Sequence, residues 1–191
     1  AVNDAPVNTE LPAISGDMHV LQTLSTTDGD WNDVIDTDVS GSSNITYIYQ
    51  WQRGNSDSDN NPANISGATS NTYVLTANEA HKFIRVEVTA TDDGVGSPAN
   101  QSTIVYSEYH YVLNTDPFIN LPESYSFSED TELEVNFSSL IGDIDSDELE
   151  LSVSGEVHVY AAINQTTKLV TFTSDLDWNG TETLTFTVND N

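Results

Sequence analysis

Ile45, Tyr47, Tyr49 and Trp51 stand at every second position, and so do Ile84, Val86, Val88 and Ala90. Successive side chains of a β-strand point to opposite faces, so a run of this period gathers its apolar members on one side of a sheet and cannot do so on a helix. These runs are rich in β-branched and aromatic residues and are separated by clusters of Gly, Asn, Asp and Ser, which favour turns. The chain therefore reads as all-β. Opening strands are expected over 6–14 and 18–24, and later ones over 72–75 and 104–112. That makes roughly seven strands in about 110 residues, the size of an immunoglobulin-like sandwich. One helical turn is expected over 76–82, where Thr76 and Glu79 have capping-box spacing.

A second series follows Asn114, Thr115, Asp116 and Pro117. It alternates at Tyr125 and Phe127, at Leu133, Val135 and Phe137, and at Leu149, Leu151 and Val153. It continues at Val157 and Val159, over 169–172, and at Leu184, Phe186 and Val188. Six strands are legible here, and a seventh is expected where the chain stops at Asn191. The expected organisation is two tandem Greek-key β-sandwich domains. The first covers 1–115 and carries long acidic loops; the second covers 116–191 and lacks its last strand, which leaves an exposed edge.

Charge narrows the function. The 191 residues include 31 Asp or Glu against 4 Lys or Arg, a formal charge of -27. The four cations (Arg53, Lys82, Arg85, Lys168) are scattered, so a phosphate backbone finds no basic patch, and an anionic membrane surface repels the chain. Cysteine is absent, which removes disulfides and thiolate metal sites. The apolar runs are too short for a transmembrane helix, the first twenty residues do not read as a signal peptide, and the sequence reads as an interior piece of something larger. The four histidines are isolated, with no zinc motif and no arguable Ser, His and Asp arrangement. Any two of the carboxylates could face each other as a glycosidase pair, but calcium competes for them, and no enzyme is expected.

Self-repulsion among so many carboxylates opposes compaction unless something neutralises them. A hard divalent cation bound through oxygen does so, and calcium is the expected cofactor. In a Greek-key sandwich the entering linker, the second-to-third strand loop and the sixth-to-seventh strand loop share one end. In the first domain this gathers Asn3 and Asp4, then Asp28, Asp30, Asp33, Asp36 and Asp38, then Asp92 and Asp93. In the second it gathers Asn114 and Asp116, then Asp143, Asp145 and Asp147, then Asp190, expected near Asp17, Asp57, Asp59 and Glu79 of the first domain. Glu129, Asp130, Asp175 and Asp177 fall at the far end, where a weak or empty site is expected. The Asp143, Asp145, Asp147 alternation is not an EF-hand, because Glu148 stands where the sharp turn needs Gly. Trp31, inside the run Asp28-Gly29-Asp30-Trp31-Asn32-Asp33, either covers a calcium site or offers an aromatic contact.

Val2-Asn3-Asp4-Ala5-Pro6, Ser128-Glu129-Asp130-Thr131 and the run from Trp178 to Val188 resemble the cadherin-like and immunoglobulin-like repeats of large bacterial surface proteins, RTX adhesins among them. The resemblance covers nearly all of 117–191. It implies calcium ligands at Asn3, Asp4, Asn114, Asp116, Glu129, Asp143 and Asp145, secretion to the bacterial cell surface, and neighbouring adhesin domains as partners. The first domain departs from the generic repeat, with long loops over 28–44 and 54–69. Two roles follow. In one, the chain is a calcium-stiffened extender in an adhesin supporting cell adhesion. In the other it is a ligand-binding module, in which calcium at Asp28, Asp30 and Asp33, with Trp31 shaping the site, captures a peptide carboxylate or a glycan.

Overall fold

The computed structural model describes residues 3–33, 44–93 and 100–190. The chain is all-β and divides into two compact units, Ala1–Asn114 and Thr115–Asn191.

The first unit holds β1 (Val7–Glu10), β2 (Ile14–Ser15), β3 (Thr23–Thr26), β4 (Asp30–Asn32), β5 (Thr46–Gly54), β6 (Ala63–Asn64), β7 (Thr72–Val74), β8 (Phe83–Thr91), β9 (Ser102–Tyr106) and β10 (His110–Tyr111). One sheet runs β10-β8-β5-β6, with β9 also on β8; a second runs β2-β3-β7; and β1 pairs with β4. The antiparallel β5/β8 pairing, from Thr46 opposite Thr91 to Gly54 opposite Phe83, is the backbone of the unit. Alternation along β8 buries Ile84, Val86, Val88 and Ala90. The first three meet Trp51 from β5 and Leu24 and Leu75 from the opposite side in one core. Trp51 is fully buried, and its indole N–H donates to the Ser70 carbonyl at 2.9 Å, so its one polar atom is satisfied.

Three expectations are corrected. The strand over 104–112 is broken into β9 and β10, because Ser107 leaves the ladder. Its N–H donates to the Val86 carbonyl while its Oγ accepts the Val86 N–H. Over 18–24 only the end is strand, since Leu21 takes a left-handed φ of 65° in a turn. Residues 30–32, expected in a loop, form β4 on β1.

The helical turn is a 3-10 helix over Ala77–Glu79 with both halves of its capping box. Glu79 was expected on an acidic surface, but it is 1% exposed. Its carboxylate accepts from Arg53 Nη1 at 2.9 Å, Tyr73 Oη at 2.9 Å, Thr76 N at 3.0 Å and Thr76 Oγ1 at 2.7 Å. A buried carboxylate survives only when paired and hydrogen-bonded to this extent.

The second unit holds β11 (Phe118–Ile119), β12 (Leu133–Asn136), β13 (Ile141–Gly142), β14 (Leu149–Ser154), β15 (Val159–Asn164), β16 (Leu169–Ser174) and β17 (Thr185–Asp190). Its sheets are β12-β16-β15, β14-β17 and β11-β13. Phe137, Leu151, Val170, Phe172 and Val188 form its core. Tyr125 and Phe127 were expected in a strand. They lie outside every ladder and pack against that core instead.

Replacing Glu79 by Ala leaves Arg53 half-buried with its carboxylate gone and the first turn uncapped. Urea unfolding of Glu79→Ala is expected to show a loss of about 3 kcal/mol, in the range for breaking a buried pair, with a smaller loss for Glu79→Gln.

Candidate metal centre

The strongest cluster is built by the loop between β13 and β14 in the second unit. Asp143 Oδ1 accepts the N–H of Asp145 at 2.6 Å and of Asp147 at 3.3 Å, which curls the loop around one carboxylate. Ser146 takes a left-handed φ of 68° to complete the turn. The β14/β17 register sets Asp190 opposite Leu149, at the point where the loop enters β14. Asp143, Asp147 and Asp190 thereby bring carboxylate oxygens within 4.8 Å of one another, and Asp145 brings one within the same distance of Asp147. Two oxygens on opposite sides of a calcium ion, each at about 2.4 Å, stand about 4.8 Å apart. The spacing fits a single oxygen-bound divalent ion.

Burial adds a second, independent observation. Asp145 is 4% exposed; its Oδ2 accepts the Thr115 N–H at 2.5 Å, while its Oδ1 is buried with no hydrogen-bond partner. Asp143 Oδ2 is likewise buried without one. Leaving a buried acceptor unsatisfied costs about 1–3 kcal/mol, and more when it is charged. A cation held there would remove that cost and the mutual repulsion together.

The other expected ligands are distributed differently. Asn3 is buried and donates from Nδ2 to Asp92 Oδ2 at 3.0 Å, and Asp92 Oδ1 accepts the Gln101 N–H at 2.9 Å. Gln101 also donates to the Asn3 carbonyl, and Asn3 Oδ1 is buried without a hydrogen-bond partner. The structure thus joins Asn3 to Asp92. Asp33 is buried, Asp4 is exposed, and Asp93 is exposed and accepts the Asn44 N–H at 3.3 Å. Among the described residues, no three acids of the first unit alone reach the spacing of Asp143, Asp147 and Asp190. Asp36 and Asp38 lie outside the described residues. Asn114 and Asp116 are exposed, as is Glu129. Asp130 accepts the Asp177 N–H at 3.0 Å, and Asp175 takes bonds from His158 at 2.9 Å and Tyr160 at 3.2 Å. The His158 contact holds the Asp175 carboxyl below the usual range.

Around Trp31 the turn is self-contained. Gly29 takes a left-handed φ of 79°, and a Cβ there would stand 2.4 Å from the Glu10 carbonyl oxygen, so glycine is required. The Trp31 indole donates back to the Asp28 carbonyl at 2.8 Å, and its ring packs on the core beside Tyr47, 6.3 Å between centroids. Asp30 is exposed on β4, and Asp28 Oδ1 accepts from the Tyr49 hydroxyl. Burial first, then that hydrogen bond, push the Tyr49 phenol up to about 12. Tyr73 is pushed to about 12 by burial and then by Glu79. Sequence reasoning named Asp28 and Glu79 but not these phenols. Each Tyr stood in an apolar alternation that accounted for it as core.

In each unit antiparallel sheets close around an alternating core, which is a β-sandwich architecture. Residues 114–191 match the family model of the bacterial Ig domain. That match supports an Ig-like repeat of the kind that bacterial surface proteins carry for the second unit; Ig-like sandwich domains are typically structural or adhesion modules, and no catalytic family is indicated. No curated protein matches the chain. Among the described residues, no helix is long and apolar enough to cross a membrane.

The tyrosine shifts give a sign to alkaline stability. Both phenols have folded values near 12 against an ordinary 10. Their contribution is therefore complete below pH 10 and is lost as pH rises from 10 through 12. Urea unfolding of Tyr49→Phe and Tyr73→Phe is expected to decline less steeply than wild type across that window.

Proposed function

We propose that this chain is a calcium-binding segment of a large, secreted bacterial cell-surface adhesin of the cadherin-like or RTX type. Its role in this reading is that of an extender that supports cell adhesion. The observation that carries it is the pair of buried carboxylate oxygens without partners, Asp143 Oδ2 and Asp145 Oδ1, in a cluster spaced for one divalent ion. Carboxylates select a hard cation, and the donor set contains no sulfur. The ion would be held by Asp143, Asp147 and Asp190, with Asp145 beside them. It would tie the β13–β14 loop to the end of β17. Through the Thr115 N–H on Asp145 it would also fix the chain where it enters the second unit. Repulsion that otherwise loosens this end becomes a cross-link between distant segments.

The ligand-capturing role draws less support. Asp28 is engaged by Tyr49, and Trp31 is turned into the core and its own turn.

Calorimetric titration of calcium into chelator-stripped protein tests the proposal. Binding that disappears in Asp143→Asn with Asp147→Asn, accompanied in wild type by a raised melting temperature, is expected. At a calcium concentration one hundred times Kd the stabilisation should reach about 2.7 kcal/mol. An unchanged melt and no heat at millimolar calcium would overturn it.

A further inference from the structure

Residues 179–184 form no ladder, and the start of this segment is strung between two fixed points of the second unit. At one, Trp178 stacks on His158, with ring centroids 5.4 Å apart and planes 20° from parallel, and its N–H donates to the Asp175 carbonyl at 3.2 Å. At the other, the Glu182 carboxylate accepts the N–H groups of Val157, His158 and Val159 at 2.6, 2.8 and 3.2 Å, which pins the approach to β15. Asn179, Gly180 and Thr181 bridge the two points. Asn179 and Gly180 are exposed, and among the described residues neither the Asn179 side chain nor the Gly180 N–H enters a hydrogen bond. A Cβ at Gly180 would stand 2.7 Å from Trp178 Cζ2, so the ring that anchors the bridge keeps position 180 bare.

This is the single Asn-Gly pair of the sequence. An asparagine amide is electrophilic at Cγ, and the next backbone nitrogen reaches that carbon by closing a five-membered ring. A side chain on the following residue obstructs the closure, and a hydrogen bond on its N–H restrains the nucleophile. Gly180 has neither, and a segment without ladder bonds opens readily into the closing geometry. Asn55, also exposed and followed by Ser56, makes the contrast. Its Oδ1 accepts from Lys82 Nζ at 3.1 Å and its N–H donates to Asp59 at 2.9 Å.

We propose that Asn179 is a self-modification site, at which the chain converts its own asparagine to aspartate and isoaspartate. Water or hydroxide takes the proton of the Gly180 nitrogen, which bonds to Asn179 Cγ. The Cγ–Nδ2 bond breaks, ammonia leaves with the proton, and a succinimide remains. Water then opens the ring. Attack at Cγ gives aspartate; attack at the main-chain carbonyl gives isoaspartate, whose backbone runs through Cβ and Cγ and is one carbon longer. Either product adds a negative charge to a chain already at -27. Isoaspartate also lengthens a bridge whose ends are fixed, so the hold of Glu182 on 157–159 has to give. The inference is independent of the calcium reading, since these residues lie outside the Asp143, Asp145, Asp147 and Asp190 cluster.

The test incubates the full chain beside a capped peptide of residues 177–183, which keeps the neighbours and lacks the fold, in calcium-containing buffer at mildly alkaline and mildly acidic pH. Peptide mapping by mass spectrometry reads the gain of one mass unit at position 179, and chromatography separates isoaspartate from aspartate. In the full chain, conversion is expected within a few-fold of the peptide's rate, several-fold faster than at Asn55, and faster at the alkaline pH. It should be lost in Asn179→Gln, which needs a six-membered ring. Aged, isotope-labelled protein should show shifted amides at 157–159, and Asn179→Asp, which adds the charge without the extra carbon, should leave them in place. A chain that stays unmodified while the peptide converts, or conversion no faster than at Asn55, would overturn the proposal. So would an Asn179→Asp variant that moves the same amides as ageing does.

Discussion

Mutual repulsion among 31 carboxylates, set against four basic side chains, is the constraint that the structure has to satisfy before anything else can hold. Cations are too few to answer it, so the chain answers with other donors. Backbone N–H groups serve Asp143, Asp59 and Glu182, the last accepting from Val157, His158 and Val159. Phenols serve Asp28 and Glu79. One of the rare arginines is spent on the most buried acid, Glu79. Where those resources end, at Asp143 and Asp145, two buried oxygens remain unsatisfied. A polar network that is nearly but not fully satisfied is the situation in which a missing member is most strongly called for.

The sandwich supplies the geometry. Strands β14 and β17 pair in a register that delivers Asp190 to the loop carrying Asp143, Asp145 and Asp147, although forty-odd positions of chain separate them. One strand therefore ties the core to the cluster: its C-terminal residue reaches the acidic cluster, while Phe186 near its start packs against the core of the unit.

Much of this was legible in the sequence, and the failures have a common cause. Alternation reports which face a residue occupies, and it located the core positions of β5, β8, β14 and β16, Trp51 included. It does not report whether the backbone has a ladder partner. That is why Tyr125 and Phe127 alternate and face the core yet belong to no strand, and why the run over 104–112 conceals the break at Ser107. The capping box was readable because Thr76 and Glu79 are local; the burial of Glu79 was not, because Arg53 and Tyr73 come from distant segments. In the cluster, the spacing of Asp143, Asp145 and Asp147 was visible, and strand order suggested Asp190. The Thr115 N–H, a backbone group with no signature in residue type, was not. Acid-rich composition alone could not separate Asp145, buried and half-satisfied, from Asp116, exposed to water.

The most direct test is an anomalous-difference map from crystals of this chain grown with calcium. The account predicts a peak bonded by carboxylate oxygens of Asp143, Asp147 and Asp190 at about 2.4 Å, with Asp145 alongside. An intact β14/β17 pair with no peak among those four carboxylates would contradict it.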